Sequence, residues 1–296
     1  MTIRTSEALA SDVTVDYLAV GNPTLDVRPD SSLAVGGSVV YAVIQAARLG
    51  LSAAGFGRGC GRELEPVWTP SETEAFLYVQ SSADTTRFRN ENTDSIRTQW
   101  LEKSAGAVSG LDRLPECRVL HLAPVAQEIV LDEAVRGSRR GLLGLTPQGL
   151  IRSWDGQGLV RHRSLEIDGP TAGSIDVVVF ADYEAAYLSN VAEAVRRAGG
   201  IVVVTKGARG CEVLLAHGTQ EFPAIAATRL VDDTGAGDVF ASSLFIALES
   251  GSLVSDAVRF AAAAATLSIE GIGPWAIAPR GEVLRLAGQD TTVAVS

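Results

Sequence analysis

Residues 231–240 read Val-Asp-Asp-Thr-Gly-Ala-Gly-Asp-Val-Phe, a glycine-punctuated turn running into the apolar stretch Val239, Phe240, Leu244, Phe245, Ala247 and Leu248. Apolar residues at that spacing predict a helix. Its first N–H groups lack intrahelical partners and sit at the positive end of the helix dipole. The turn from Gly235 to Asp238 is therefore an expected anion site. Without a Cβ at Gly235 or Gly237, the backbone can close on a group the size of a phosphate. Asp238 is not suited to binding that anion, because like charges repel. Beside a bound phosphate, its carboxylate is placed to take the proton from a hydroxyl attacking phosphorus. A helix capped by Asp232 or Asp233, with glycines that only turn the chain, is the plainer account of the same residues.

Asn22 and Asp26 follow an apolar run, Val13 to Val20, that reads as a buried strand. Open α/β sheets bind ligands at the carboxyl ends of their strands, so both side chains are candidates for holding a small molecule; an Asn-Pro turn is the alternative. Gly36-Gly37 precedes the first helical pattern and costs backbone entropy there, which a hinge or a close approach to substrate would justify. The stretch from Val203 to Cys211 is a buried strand ending in a glycine-spaced turn, with Thr205, Lys206, Gly207 and Gly210 at its end. A hairpin connection to the strand Glu212 to Leu215 explains that turn equally well. Gln148 and Arg152 lie past another strand end and could reach a substrate or a phosphate. Glu184 sits in a first helical turn, where an acid is ordinary, and Asp182 is a candidate N-cap.

Short apolar strands are expected at Ala53–Phe56, Val119–Ala123, Leu142–Leu145, Ile175–Phe180 and Ile201–Val204. Helical patterns lie between several of them, at Gly36–Gly50, Ile129–Val135, Asp182–Leu188 and Val191–Ala198. This alternation predicts an α/β fold of three layers, a mostly parallel central sheet with helices on both faces. From about 71 to 103 the rhythm breaks into three extended segments, Glu74–Val79, Thr85–Arg89 and Ile96–Leu101, read as a small antiparallel β lid or edge element. Its open edge suits either a lid or a contact between two copies, and Arg87, Arg89 and Arg97 would blunt it. The whole chain, 1–296, is expected to form a single domain, with Met1 to Asp12 as a frayed leader.

A net charge of −10 and a pI near 4.9 argue against a nucleic-acid surface, which needs a basic field. Three widely spaced cysteines form neither a disulfide framework nor a zinc pattern, which fits a reducing cytoplasm. No apolar run approaches the roughly 18–20 residues that span a bilayer, so no membrane partner is expected.

The run from Asp232 to Asp238 resembles the signature of the ribokinase-like (phosphofructokinase B) carbohydrate kinases, commonly Asp-Thr-Thr-Gly-Ala-Gly-Asp; Asp233 stands where that form has threonine. The resemblance implies Asp238 as catalytic base and Gly235, Ala236 and Gly237 as anion hole. Gly21 to Asp26 and Gly36 to Tyr41 are similar to the family's substrate segments. That likeness implies Asn22, Asp26, Gly36, Gly37 and Tyr41 as substrate contacts, and Gln148 is added to them from its place past a strand end; Tyr41 replaces an asparagine, which disfavours ribose. Thr205, Lys206, Gly207 and Gly210 resemble a Thr-x-Gly-x-x-Gly turn that contacts ATP. Glu184 keeps the acid of an Asn-x-x-Glu motif that organises Mg²⁺ through water, with Ala181 in place of the asparagine. Asp232 is implied as a ligand of a monovalent cation such as K⁺. Together these imply an ATP-dependent kinase of a small polyol. The segments Gly36–Tyr41, Thr85–Phe88 and Glu270–Trp275 look most like the inositol- and cyclitol-kinase branch. A nucleoside kinase, or a binding homologue that has lost catalysis, are the alternatives, and a homodimer through the lid is a further expectation.

Overall fold

The structure, a computed structural model, describes residues 2–6, 14–28, 30–68, 75–93, 96–137 and 140–288. A ten-stranded sheet runs, edge to edge, through Thr2–Thr5, Ala75–Ser81, Ala53–Gly59, Val15–Val20, Cys117–Leu122, Arg140–Leu145, Val177–Ala181, Ile201–Thr205, Cys211–Leu215 and Gly218–Phe222. The first eight are parallel to their neighbours, and the last two add an antiparallel hairpin at the far edge. Val177–Val179 and Val202–Val204 are buried on both sides, as the interior strands of a parallel sheet require.

Alternation along each strand divides the interior in two. Tyr17 and Ala19 enter a core with the helices Ser38–Arg48, Ala236–Glu249 and Val254–Ser268, while Leu18 and Val20 enter a second with Leu131–Gly137 and Ala185–Arg197. The expected three layers are thus present. Asp182–Leu188 and Val191–Ala198, read as two helical patterns, form one run: a 3₁₀ turn at Asp182–Glu184 continues directly into Ala185–Arg197.

A second, four-stranded sheet has the order Leu33–Gly36, Thr24–Val27, Thr86–Thr93, Ile96–Lys103. This is the expected lid with a different membership. Ala75–Ser81 leaves it for the central sheet, because Ala75, Leu77 and Val79 enter one core while Phe76 and Tyr78 pack against the other. A strand apolar on both faces is stable only inside a covered sheet. In exchange the lid takes Thr24–Val27 and Leu33–Gly36, so Asp26 is a lid residue. Thr24–Val27 pairs parallel with Thr86–Thr93, and the other two pairings are antiparallel. Of the expected blunting arginines, Arg87 bonds Glu63 at 3.0 Å and Arg89 bonds Glu102 at 3.0 Å while lying over the Trp100 ring. The Arg97 side chain and residues 71–74 lie outside the described residues. Within the expected leader, Thr2–Thr5 is a strand paired to Phe76–Val79; Met1 and residues 7–12 are again outside the described part.

Candidate active site

The helix Ala236–Glu249 begins as its sequence requires. Gly235 is its N-cap at φ 78°, and a Cβ there would lie 2.3 Å from the Tyr41 ring, so only glycine satisfies both the backbone and the contact. Asp232 holds the turn in shape, accepting from Thr234 N at 3.0 Å through Oδ1 and from Gly273 N at 3.1 Å through Oδ2. Val239 N bonds the Gly235 carbonyl at 2.9 Å and Ala236 N bonds that of Asp233 at 3.3 Å. Among the described residues, the N–H groups of Gly235, Gly237 and Asp238 are left without a partner. The open N–H groups thus differ from the expected trio by Asp238 in place of Ala236, whose N–H is turned to Asp233.

Asp238 is half-buried at the floor of a cleft of about 550 Å³. Burial pushes its carboxyl up to about 6, against the opposing pull of a Ser38 hydrogen bond and the Arg152 charge, with Glu184 adding a smaller upward push. Ser38 Oγ accepts from Gln148 Nε2 at 2.7 Å, and Gln148 Oε1 accepts from Arg152 Nη2 at 2.9 Å. A continuous chain thus joins the Arg152 guanidinium to the Asp238 carboxylate. Arg152 is steadied by the Val125 carbonyl at 2.9 Å and by the Phe88 ring, 5.2 Å from its centroid.

Lid and sheet share the cleft. Thr24, Asp26, Phe88 and Gln99 come from the lid; Gly37, Ser38 and Tyr41 from the first helix and its cap; Thr146, Gln148 and Arg152 from one strand end and the turn after it. Ala181 to Glu184 and Thr205 to Gly207 come from two more strand ends, opposite Asp233 to Asp238. The cleft lies at the carboxyl ends of the parallel strands, as the fold class demands. Asp26, Gly37, Tyr41, Gln148, Glu184, Thr205, Lys206, Gly207 and the Gly235–Asp238 turn therefore converge as the sequence indicates.

Four expected residues do not line the cleft. Asn22 is fully buried, its Nδ2 on the Gly106 carbonyl at 2.9 Å and its Oδ1 accepting from Arg58 N at 2.7 Å, so its amide is a structural tie rather than a substrate ligand. The buried Glu128 carboxylate completes that tie by accepting from Asn22 N, Val125 N and Ala126 N at 2.6–2.9 Å. Gly36 makes room for the lid carboxylate, since a Cβ would come within 2.5 Å of Asp26 Oδ2. Gly210, at φ 88°, lies against the Phe222 carbonyl, 1.9 Å from a virtual Cβ, and shapes the hairpin. Asp232 uses its oxygens to staple the loop. Within the cleft, Lys206 pairs with Glu212, and Gln148 has its amide engaged between Ser38 and Arg152.

No cluster of three or more metal-ligating side chains occurs among the described residues. Glu184 lines the cleft and accepts from Ala181 N through Oε2 at 2.9 Å, and Asp182 beside it pairs with Arg209. Such sparse oxygen ligation fits Mg²⁺ held mainly by phosphates and water. Trp275 packs edge-on against Trp68 at 5.5 Å. Ser38 and Thr146 carry no motif, and a polar residue directly after Gly-Gly or at a buried strand's carboxyl end is the only signal that could have marked them.

The architecture is that of a ribokinase-like fold. A family profile described as "pfkB family carbohydrate kinase" matches residues 171–279, the part of the chain that holds the Gly235–Asp238 turn. Among solved structures, a pyrophosphate-dependent kinase in the ribokinase family, complexed with a pyrophosphate analog and myo-inositol, has a TM-score of 0.76 at 18% identity over 91% of this chain and 99% of that one. Burkholderia thailandensis nucleoside kinase in complex with inosine has a TM-score of 0.69 at 19% identity, over 92% and 98% of the two chains. Arabidopsis thaliana ribokinase complexed with ribose and ATP has a TM-score of 0.65 at 18% identity, over 93% and 99%. These likenesses define the fold.

Proposed function

We propose that this chain transfers the γ-phosphoryl group of ATP to a hydroxyl of a small sugar or cyclitol, with Asp238 as general base. The observation that carries this reading is the opening of Asp238 into one cleft with partnerless backbone N–H groups, Arg152 and Lys206. The acceptor lies between the lid and Ser38, its reacting hydroxyl against Asp238. As the hydroxyl oxygen bonds to phosphorus, the bond to the bridging oxygen of the leaving ADP breaks and the proton passes to Asp238. The N–H groups of Gly235, Gly237 and Asp238 face the charge on the phosphoryl oxygens. Arg152 opposes the negative charge gathered there and, through Gln148 and Ser38, holds the base in orientation. Bound Mg²⁺ would neutralise phosphate charge, with Glu184 holding its water shell.

Two features favour a polyol over a nucleoside. Phe88 already carries Arg152 over its ring, and Tyr41 lies against Gly235; a flat base needs open aromatic faces. Pyrophosphate is the second reading for the donor, favoured by the pyrophosphate-dependent kinase that shares this fold. Incubation with Mg²⁺ and either ATP or pyrophosphate, over inositols, hexoses, pentoses and nucleosides, with products identified by ³¹P NMR, tests all of this. A phosphorylated cyclitol or hexose formed from ATP is expected. Turnover only with pyrophosphate would replace the donor, preference for a nucleoside would replace the acceptor, and no transfer at all would overturn the reading.

A further inference from the structure

Phe88 stands where the lid meets a charge that belongs to the rest of the cleft. Its side chain is 3% exposed, and the Arg152 guanidinium carbon lies over the ring, 5.2 Å from its centroid. That is inside the range of about 6 Å over which an aromatic face attracts a cation. The apolar neighbours of Phe88, which are Leu101, Val125, Ala126 and the partly buried Val160, ask of it only bulk. Arg152 asks for more, because the negative charge on the ring face is what draws a guanidinium.

This contact sits between the two sides of the proposed reaction. Phe88 pairs with Asp26 in the parallel register of Thr24–Val27 and Thr86–Thr93, so both side chains project from one face of the lid, and both line the cleft. Arg152 lines the same cleft as Asp238, and its charge opposes protonation of that carboxylate. It also opens a short hairpin, Arg152–Trp154 paired with Val160–His162, whose turn is stitched to the lid. Leu101 N donates to the Gly158 carbonyl at 2.8 Å, and Trp100 bridges Leu159. Gly158, at φ 83°, permits this approach, since a Cβ there would come within 2.3 Å of the Leu101 carbonyl oxygen. Lid and hairpin therefore meet at two places, the Leu101–Gly158 bond and the stacked pair of Phe88 and Arg152.

We propose that Phe88 is a positioning residue whose ring face holds the Arg152 guanidinium in the cleft, so that the lid sets the charge used in phosphoryl transfer as well as enclosing the acceptor. This rests on reading the cleft as a phosphotransferase site. Asp26 and Phe88, neighbours in one register, then divide the work: the first meets the acceptor, and the second keeps Arg152 where it opposes the charge on the phosphoryl oxygens.

Fluorinated phenylalanines in place of Phe88, introduced by nonsense suppression, keep the shape of the side chain while draining charge from its face. Along mono-, di- and trifluoro rings kcat should fall stepwise, reaching a loss of about twofold to thirtyfold, the range of one cation–π contact. The acceptor KM should stay in place, because the wall of the site keeps its form. A flat kcat along the series would mean that Phe88 supplies bulk alone and would overturn the proposal. The guanidinium N–H signal of Arg152 in ¹H–¹⁵N spectra, assigned by its loss in Arg152→Lys, reads the contact without turnover. The ring current should shift it upfield in wild type, and Phe88→Leu, which keeps the apolar packing, should return it towards the range of exposed arginines. An Arg152 signal that is the same in both proteins would also overturn the proposal. A wild type that phosphorylates no acceptor would remove the function and the positioning role together, and an Arg152 signal that still responds to Phe88→Leu separates that result from failure of the contact itself.

Discussion

As the proposed general base, Asp238 opens into the cleft and has a proton affinity near the working pH. Burial raises its pKa to about 6, and Ser38 keeps it from rising further. Activity should therefore fall about tenfold per pH unit below 6 as the base is protonated, read as an acidic limb in kcat/KM. Asp238→Asn should lower kcat about 10²–10⁴-fold, the usual contribution of a general base. Its stability follows from the sign of the shift. The folded state binds this proton more tightly than the unfolded state, so the site favours folding at low pH and loses that advantage as pH rises from about 4 to about 6. At pH 7 the ionised carboxylate is a burden on the fold, so Asp238→Asn should melt no lower than wild type. A lower melting temperature would mean that the carboxylate is a structural anchor.

At the scale of elements, the site is a helix start facing a lid. Gly235 lets the turn adopt its left-handed conformation while the Tyr41 ring covers it. Gly235→Ala meets two penalties, about 1–2 kcal/mol for a left-handed non-glycine residue and a collision with the ring. Thermal melts should show a clear loss in Gly235→Ala, and a smaller loss when the same change is made in a Tyr41→Ala background, because there only the backbone penalty remains. The lid is fastened by a small cluster, Phe88 and Leu101 against Val125 and Ala126. Because Asp26 and Phe88 ride on the lid while Asp238 belongs to the sheet layer, Phe88→Ala should raise the KM of the acceptor more than that of the donor. Equal effects on both would show that the lid does not shape the acceptor side.

Across the molecule, two cores on opposite faces of one sheet hold the strand ends that meet in the cleft. Elements far from those ends bear on stability alone. Thr2–Thr5 pairs only at the sheet's edge, so deleting residues 1–6 should lower the melting temperature and leave kcat intact. A fall in kcat would show that the edge strand reaches the site through the sheet.

The glycine turn, the helix that starts at it and the alternation of strands and helices were legible in the sequence because each depends on neighbours within a few residues. A helix start needs only its own turn to make partnerless N–H groups, and a buried parallel strand reveals itself by continuous apolar residues. Local patterns do not reveal partners far along the chain. Asn22 has the type and position of a ligand, yet Gly106 and Arg58 claim its amide. Ala75–Ser81 looks like lid and joins the central sheet, because burial on both faces is decided by what packs against it. Gln148 meets Ser38 across 110 residues, and only the folded sheet, by bringing distant strand ends to one edge, turns these polar side chains into a chain ending at Asp238.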